Sequence, residues 1–247
     1  MTSTRRQPDL ADQTVVVIGA SAGIGLETAR LVRAAGAQLV LVGRNPDRLQ
    51  QAAHELQPLS TAAFDATDTD RLKQFFEDLP GPLDHVMVTA GGPSYMPVAE
   101  MDLGAARRAF DQRLGMTLGV ALYSRDKVRA RGTLLFIGGT GGRHPDVGMT
   151  IVSTLTAALP ALIANLALEL APIRVNLIAP GFVDTPLSAS LLGDQLEARR
   201  DELRKKLPIR RVVGPADVAA LAVDIMRNEA LTGGTYDIDG GQRLISH

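Results

Sequence analysis

Val15-Val16-Val17-Ile18-Gly19-Ala20-Ser21-Ala22-Gly23-Ile24-Gly25 is the stretch whose reading decides the fold. Thr14 to Gly19 is a near-continuous β-branched run, as expected of a strand covered on both faces. Gly23–Gly36 then takes helical spacing, with Ile24, Ala29, Leu31 and Val32 on or near one face. Glycines between a strand and a helix permit a tight turn and let the backbone approach a diphosphate. The helix N-terminus adds free N–H groups and a partial positive charge. Strand, glycine turn and helix in that order predict a dinucleotide cradle.

Outward from this unit the pattern repeats. Short apolar runs at 38–42, 61–64, 85–89, 134–137, 175–179 and 235–238 predict six further strands. Helical spacing covers 46–56, 68–79, 103–129, 152–170, 186–207 and 215–227. Strands alternating with helices imply an α/β fold, a seven-stranded parallel sheet with helices on both faces. Right-handed crossovers make it doubly wound. Residues 1–12 read as a polar N-terminal tail and 13–247 as a single domain. Within it, 184–210 has the charge and position of a lid-like segment.

The bulk properties narrow the function classes. The chain has 247 residues and 45% apolar composition, ordinary for a globular protein able to bury a large core. Its net charge of −1 gives no reason to expect nucleic acid or an acidic membrane as partner. With no cysteine there is no disulfide, thiolate metal site or thiol nucleophile, and no metal site is expected. Residues 150–171 are the longest apolar stretch, but Pro160, Asn165, Glu169 and several threonines interrupt it, so a buried or interface helix is expected instead of a membrane span. The N-terminus shows no apolar signal region, and a cytoplasmic location is expected.

The spacing Gly19-x-x-x-Gly23-x-Gly25 resembles the short-chain dehydrogenase/reductase family, and the resemblance runs over about residues 13–242. Phe64-Asp65-Ala66 is similar to the family's adenine-holding segment. Thr89-Ala90-Gly91-Gly92 stands where the family writes Asn-Asn-Ala-Gly. Ile173-Arg-Val-Asn-Leu-Ile-Ala-Pro180-Gly181 and Tyr236-Asp-Ile-Asp-Gly-Gly241 follow the family text. Val183 and Thr185 fall where family members bind the nicotinamide carboxamide. The resemblance implies a Rossmann-like fold. It also implies cofactor contacts from Gly19, Ser21, Gly23, Ile24, Gly25, Asp65, Ala66, Ala90, Gly91, Pro180, Gly181, Val183 and Thr185. The second strand ends in Val42-Gly43-Arg44. NAD enzymes tend to keep an acid where Gly43 stands, whereas the Arg44 guanidinium can fork onto a 2′-phosphate. NADP(H) is therefore expected in preference to NAD(H).

The family reduces carbonyls with a proton from a Tyr, helped by a Lys one turn away, a Ser and an Asn. Registration on Leu166-Ala-Leu-Glu-Leu170 puts Val152 at the Tyr and Thr156 at the Lys. Gly139 falls at the Ser and Arg113 near the Asn. All four have changed. Tyr123-Ser-Arg-Asp-Lys127 has the right spacing but precedes the fifth strand, and reads as a surface or interface pair. Replacement donors are sought among Tyr95, Arg113, Thr140, Arg143, His144, Ser153 and Asp184; His144 leads them by intrinsic pKa. Gly139, Thr140, His144 and Val152 are expected to line the substrate pocket. Three readings follow. One is an atypical NADP(H)-dependent oxidoreductase acting on a carbonyl or imine, another a non-redox isomerase or cyclase, the third a non-catalytic NADP(H)-binding regulator. The family also implies a homodimer or homotetramer through helices 103–129 and 152–170.

Overall fold

Along the first strand, side chains alternate between two cores. Val15 and Val17 point into one apolar cluster, Val16 and Ile18 into the other. That period of two is what a strand buried on both faces requires. The computed structural model describes residues 10–245. Residues 1–9 of the expected tail lie outside them, and packing already begins at Leu10, which is fully buried.

Strands β1 (Thr14–Ile18), β2 (Gln38–Gly43), β3 (Ser60–Ala63), β4 (Leu83–Val88), β5 (Val128–Ile137), β6 (Arg174–Pro180) and β7 (Thr235–Ile238) form one sheet in the order β3-β2-β1-β4-β5-β6-β7. Every pairing is parallel. Helices α1 (Gly23–Ala34), α2 (Pro46–Leu56) and α9 (Pro215–Arg227) cover one face. Helices α3 (Thr69–Asp78), α5 (Met116–Ser124) and α6 (Thr150–Glu169) cover the other, and α4 (Leu103–Phe110) packs on α6. The strand order reverses between β1 and β4, and a ligand crevice forms outside the strand C-termini at such a point.

Three boundaries differ from the sequence reading. The helix expected over 103–129 ends at Ser124 and carries a π-helical turn at Asp111–Gly115 between α4 and α5. Strand β5 begins at Val128, six residues early, because Arg129–Arg131 are exposed at the bottom of the sheet and hide its apolar signal. The segment expected as one helix over 186–207 is two, α7 (Pro186–Leu192) and α8 (Leu196–Lys206). Gly193, at φ +50°, ends α7. Helix α6 is long and apolar enough to span a bilayer. In the fold its Leu159, Ile163 and Leu166 pack in the core.

The family-like Arg174 and Asn176 tie the bottom of β6 to α9. Five backbone carbonyls, of Arg131, Ile225, Met226, Asn228 and Leu231, accept from the Arg174 guanidinium. The cation thereby closes the C-terminal end of α9, where a helix leaves carbonyls unpaired.

Candidate functional site

The β1–α1 turn is held by its neighbours. Gly19 has φ +98°, and a Cβ there would lie 2.5 Å from Thr89 Oγ1 and 2.8 Å from the Ala90 amide. A Cβ on Gly25 would lie 2.2 Å from the Gly19 carbonyl. Only glycine lets the helix start this close to the strand. Thr89, in the place of the family Asn, donates from Oγ1 to the carbonyls of Ile18 and Gly19 at 3.2 and 3.1 Å. The Thr89 and Ala90 amides both donate to Ile18 O. A threonine thus keeps the β1 and β4 ends clasped. The first turn of α1 carries no acidic side chain, which leaves its positive end to an anion.

The expected cofactor residues all lie at the C-terminal edge of the sheet. Gly19, Ser21, Gly23, Ile24 and Gly25 are on the first turn. Arg44 follows β2, Asp65 and Ala66 follow β3, Ala90 and Gly91 follow β4, and Pro180, Gly181, Val183 and Thr185 end or follow β6. Ser21 fills the space beside Gly43, its Oγ 3.1 Å from where a Cβ would sit. Arg44, 75% exposed, lies 3.8 Å from Asp65. An exposed pair at that distance adds little stability, so the guanidinium remains available. Asp65 accepts from the amide and hydroxyl of Thr67. Thr185 caps α7 in a capping box with Ser188.

This cradle opens into a cavity of about 510 Å³. Ile24, Gly91, Pro180, Gly181, Val183 and Thr185 belong to its wall, as do Gly139, Val152, Thr156 and Arg113. The positions registered on the family's Tyr, Lys, Ser and Asn therefore do converge. None carries a proton donor of the family kind. Thr156 turns its hydroxyl back onto the Val152 and Ser153 carbonyls at 2.9 and 3.0 Å. Arg113, on the π-helical turn, donates to Ile137 O at 3.1 Å and Gly92 O at 3.4 Å. Burial lowers its pKa from the ordinary arginine value, yet a guanidinium stays charged at any working pH.

The expected replacement donors scatter. Thr140 and His144 are not among the residues lining the cavity. Thr140 is buried and bonds the Pro180 carbonyl instead. The cause is the tight turn at Gly141–Arg143, which carries His144 past the wall. Arg143 grips Asp237 with two bonds of 2.5 and 2.6 Å, tying this loop to β7. Asp184 is taken up by Arg200 at 2.6 Å, and Ser153 packs under Gly142. Tyr95 does reach the wall, 57% exposed, with burial raising its phenol pKa above the usual value. Tyr123 and Lys127 are at the other edge: the Lys127 ammonium donates to the Glu77 and Leu79 carbonyls at the end of α3. Sequence reading missed Leu187, Leu191 and Leu192, which α7 contributes to the cavity beside Arg199 of α8. The charge pattern of 184–210 concealed its one apolar side.

A family model described as Enoyl-(Acyl carrier protein) reductase matches residues 19–243. The chain belongs to the short-chain dehydrogenase/reductase family. It is 29% identical over 263 residues to the short-chain dehydrogenase/reductase malC of Malbranchea aurantiaca, covering 99% of this chain and all of the relative. The solved MalC reductase/Diels-Alderase superposes with a TM-score of 0.89 at 27% identity, covering 97% of this chain and 100% of that one. A small-chain dehydrogenase crystallised with NADPH superposes at 0.81 and 26% identity, covering 94% and 99%.

Proposed function

We propose that the protein is an NADP(H)-dependent oxidoreductase that reduces a carbonyl or imine without the family's Tyr–Lys pair. The observation that carries this reading is the continuity of the glycine cradle with the 510 Å³ cavity. Gly19 and Gly25 admit no side chain, which is what a turn shaped for a diphosphate demands. Gly19, Gly23 and Gly25 would hold the diphosphate, Arg44 the 2′-phosphate, Asp65 the adenine, and Val183 and Thr185 the carboxamide. The cofactor, when bound, supplies a hydride. The chain's own residues then hold the acceptor against aliphatic walls. An iminium acceptor needs no protein acid, and a carbonyl can take its proton from water. Because a positioned general acid is worth about 10²–10⁴ in rate, binding should outlast turnover for ordinary ketones. Fluorescence titration with NADPH, followed by NADPH oxidation across ketones, aldehydes and cyclic imines, tests the reading. Oxidation with imines foremost supports it; tight binding without turnover points to a regulator.

A second reading, ring closure of an apolar substrate in the same cavity, is favoured by the lining of Met149, Leu155, Leu159, Leu187 and Leu191. The similarity to a protein described as a reductase/Diels-Alderase supports it. For assembly, we propose a homodimer or homotetramer through α4–α5 and α6, whose Leu118, Leu122 and Leu168 are exposed. Light scattering coupled to size exclusion tests this.

A further inference from the structure

Among the described residues, the cavity wall contains two guanidinium groups and no carboxylate. The two cations differ. Arg199 stands on α8 with Glu202 at 2.6 Å, so its charge is met. Arg113 has no acidic partner among the described residues, and it makes two hydrogen bonds, both to backbone carbonyls. The second of these is long, at 3.4 Å. Five N–H donors on a delocalised cation can do far more.

Arg174 shows how this chain satisfies a buried guanidinium that serves structure alone: five carbonyls surround it. Arg113 lacks that company. It lies with Cζ 3.6 Å from the place a Gly91 Cβ would take, so the absent side chain leaves the guanidinium face bare there. A half-buried cation without its counter-charge costs stability, and that cost is recovered when an anion arrives. The same cavity wall carries Ile137, Val152, Leu155 and Leu159.

We propose that Arg113 is the receptor for an acid carried on an apolar frame, so that the substrate is a hydrophobic carboxylate or an equally anionic oxygen acid. This rests on the functional reading above for the place of the cofactor, but the acid site is separable from it. The guanidinium supplies a fork of parallel N–H donors, which a carboxylate accepts with two oxygens. The leucine-rich walls take the frame. The same arrangement discriminates against the matching amide, which brings no charge and would leave the cation unmet.

The test uses 2-naphthoate and 2-naphthamide as probes, with calorimetry on the full chain, with and without NADP⁺. The wild type should bind the acid at least about tenfold tighter than the amide. Arg113→Gln should bring that ratio close to one, and Arg113→Lys should keep part of it. Arg199→Gln should lower it less. Equal affinity for acid and amide in the wild type, or an undiminished ratio in Arg113→Gln, overturns the proposal. If Arg113→Gln does not fold, the wild-type ratio and the Arg113→Lys variant decide. A parallel NADPH titration separates the two readings. Failure to bind NADPH removes the oxidoreductase, while an acid preference without cofactor still identifies the Arg113 site.

Discussion

Two glycine-rich turns sit at the same edge of the sheet and have opposite characters. In the turn after β1, Gly19 and Gly25 are pressed by the neighbouring β4 end: a methyl group on either would collide with Thr89, and one on Gly25 also with the Gly19 backbone. In the turn after β5, Gly139 is open, with nothing nearer than 3.7 Å to its missing Cβ. The tight glycine there is Gly142, and what presses on it is Thr156 and Ser153 of the following helix. The first turn is packed against the end of β4, the second against α6. At the position that the sequence aligns with the family's lysine, Thr156 supports the loop at Gly142.

The comparison breaks or holds most visibly on one substitution made twice. Gly25→Ala drives a methyl into a backbone carbonyl 2.2 Å away. It should cost about 3 kcal/mol of stability, the upper end for overpacking, and abolish NADPH binding. Gly139→Ala should cost under about 0.5 kcal/mol and leave NADPH affinity unchanged. Urea denaturation and fluorescence titration of both variants check the pair. Similar losses at the two positions would erase the distinction between the turns.

The opposite edge of the sheet gives the next largest effect. His85 is buried at the base of β4, with Nε2 2.7 Å from Gln13 Oε1. Burial, then the charges of Arg174 and Arg129, lower its pKa from 6.5 to about 3. A group with a depressed native pKa stays neutral in the fold while the unfolded chain takes up a proton. The stability it contributes is thus complete above 6.5 and is lost as pH falls toward about 3. The slope approaches about 1.4 kcal/mol per pH unit. Between pH 6.5 and 5, before most carboxylates titrate, the protein should lose up to about 2 kcal/mol. His85→Gln should flatten that stretch of the curve. Cofactor affinity, which belongs to the other edge, should not follow it.

Arg44 sharpens the comparison within the cradle half. Its guanidinium is exposed and only loosely met by Asp65 at 3.8 Å. Arg44→Ala should therefore leave stability unchanged. It should reduce the preference for NADPH over NADH by about tenfold, the worth of one charge-assisted contact. Paired titrations with the two cofactors measure it. An unaltered preference would place the 2′-phosphate elsewhere.

What was legible in the sequence follows the same division. The cradle could be read because its constraints are local: a β-branched strand, glycines at fixed spacing and a helix start lie within eleven consecutive residues. The seven-stranded parallel sheet was legible because strands buried on both faces stay apolar throughout and alternate with helices. On the reaction side, Val152 and Thr156 line the cavity. The replacement was less legible. His144 looked best by its intrinsic pKa, but the Gly141–Arg143 turn takes it off the wall. Arg143 looked available, but Asp237 lies 94 positions away in sequence and 2.5 Å away in space. Arg113 could be placed only loosely, because a π-helical turn shifts the register of the helix that carries it.

The smallest effect concerns the pair that mimics the family's catalytic spacing. Tyr123 packs at the margin of the core and Lys127 ends the loop before β5. The Leu83 amide, at the start of β4, donates to the Lys127 carbonyl, which fixes the pair at the edge away from the cavity. The ammonium closes the C-terminal end of α3 by donating to Leu79 O at 2.8 Å and Glu77 O at 3.2 Å. Helix α3 has no basic residue of its own in its last turn, so Lys127 supplies the positive charge its dipole lacks. Lys127→Met should therefore lower stability by about 0.5–1 kcal/mol. Tyr123→Phe should change it by less than about 0.5 kcal/mol. Neither should alter NADPH affinity or any turnover measured on the imine panel. A kinetic loss in Tyr123→Phe without a matching loss of stability would mean that the resemblance in spacing is a resemblance in role, and that chemistry has moved to the far end of the helix.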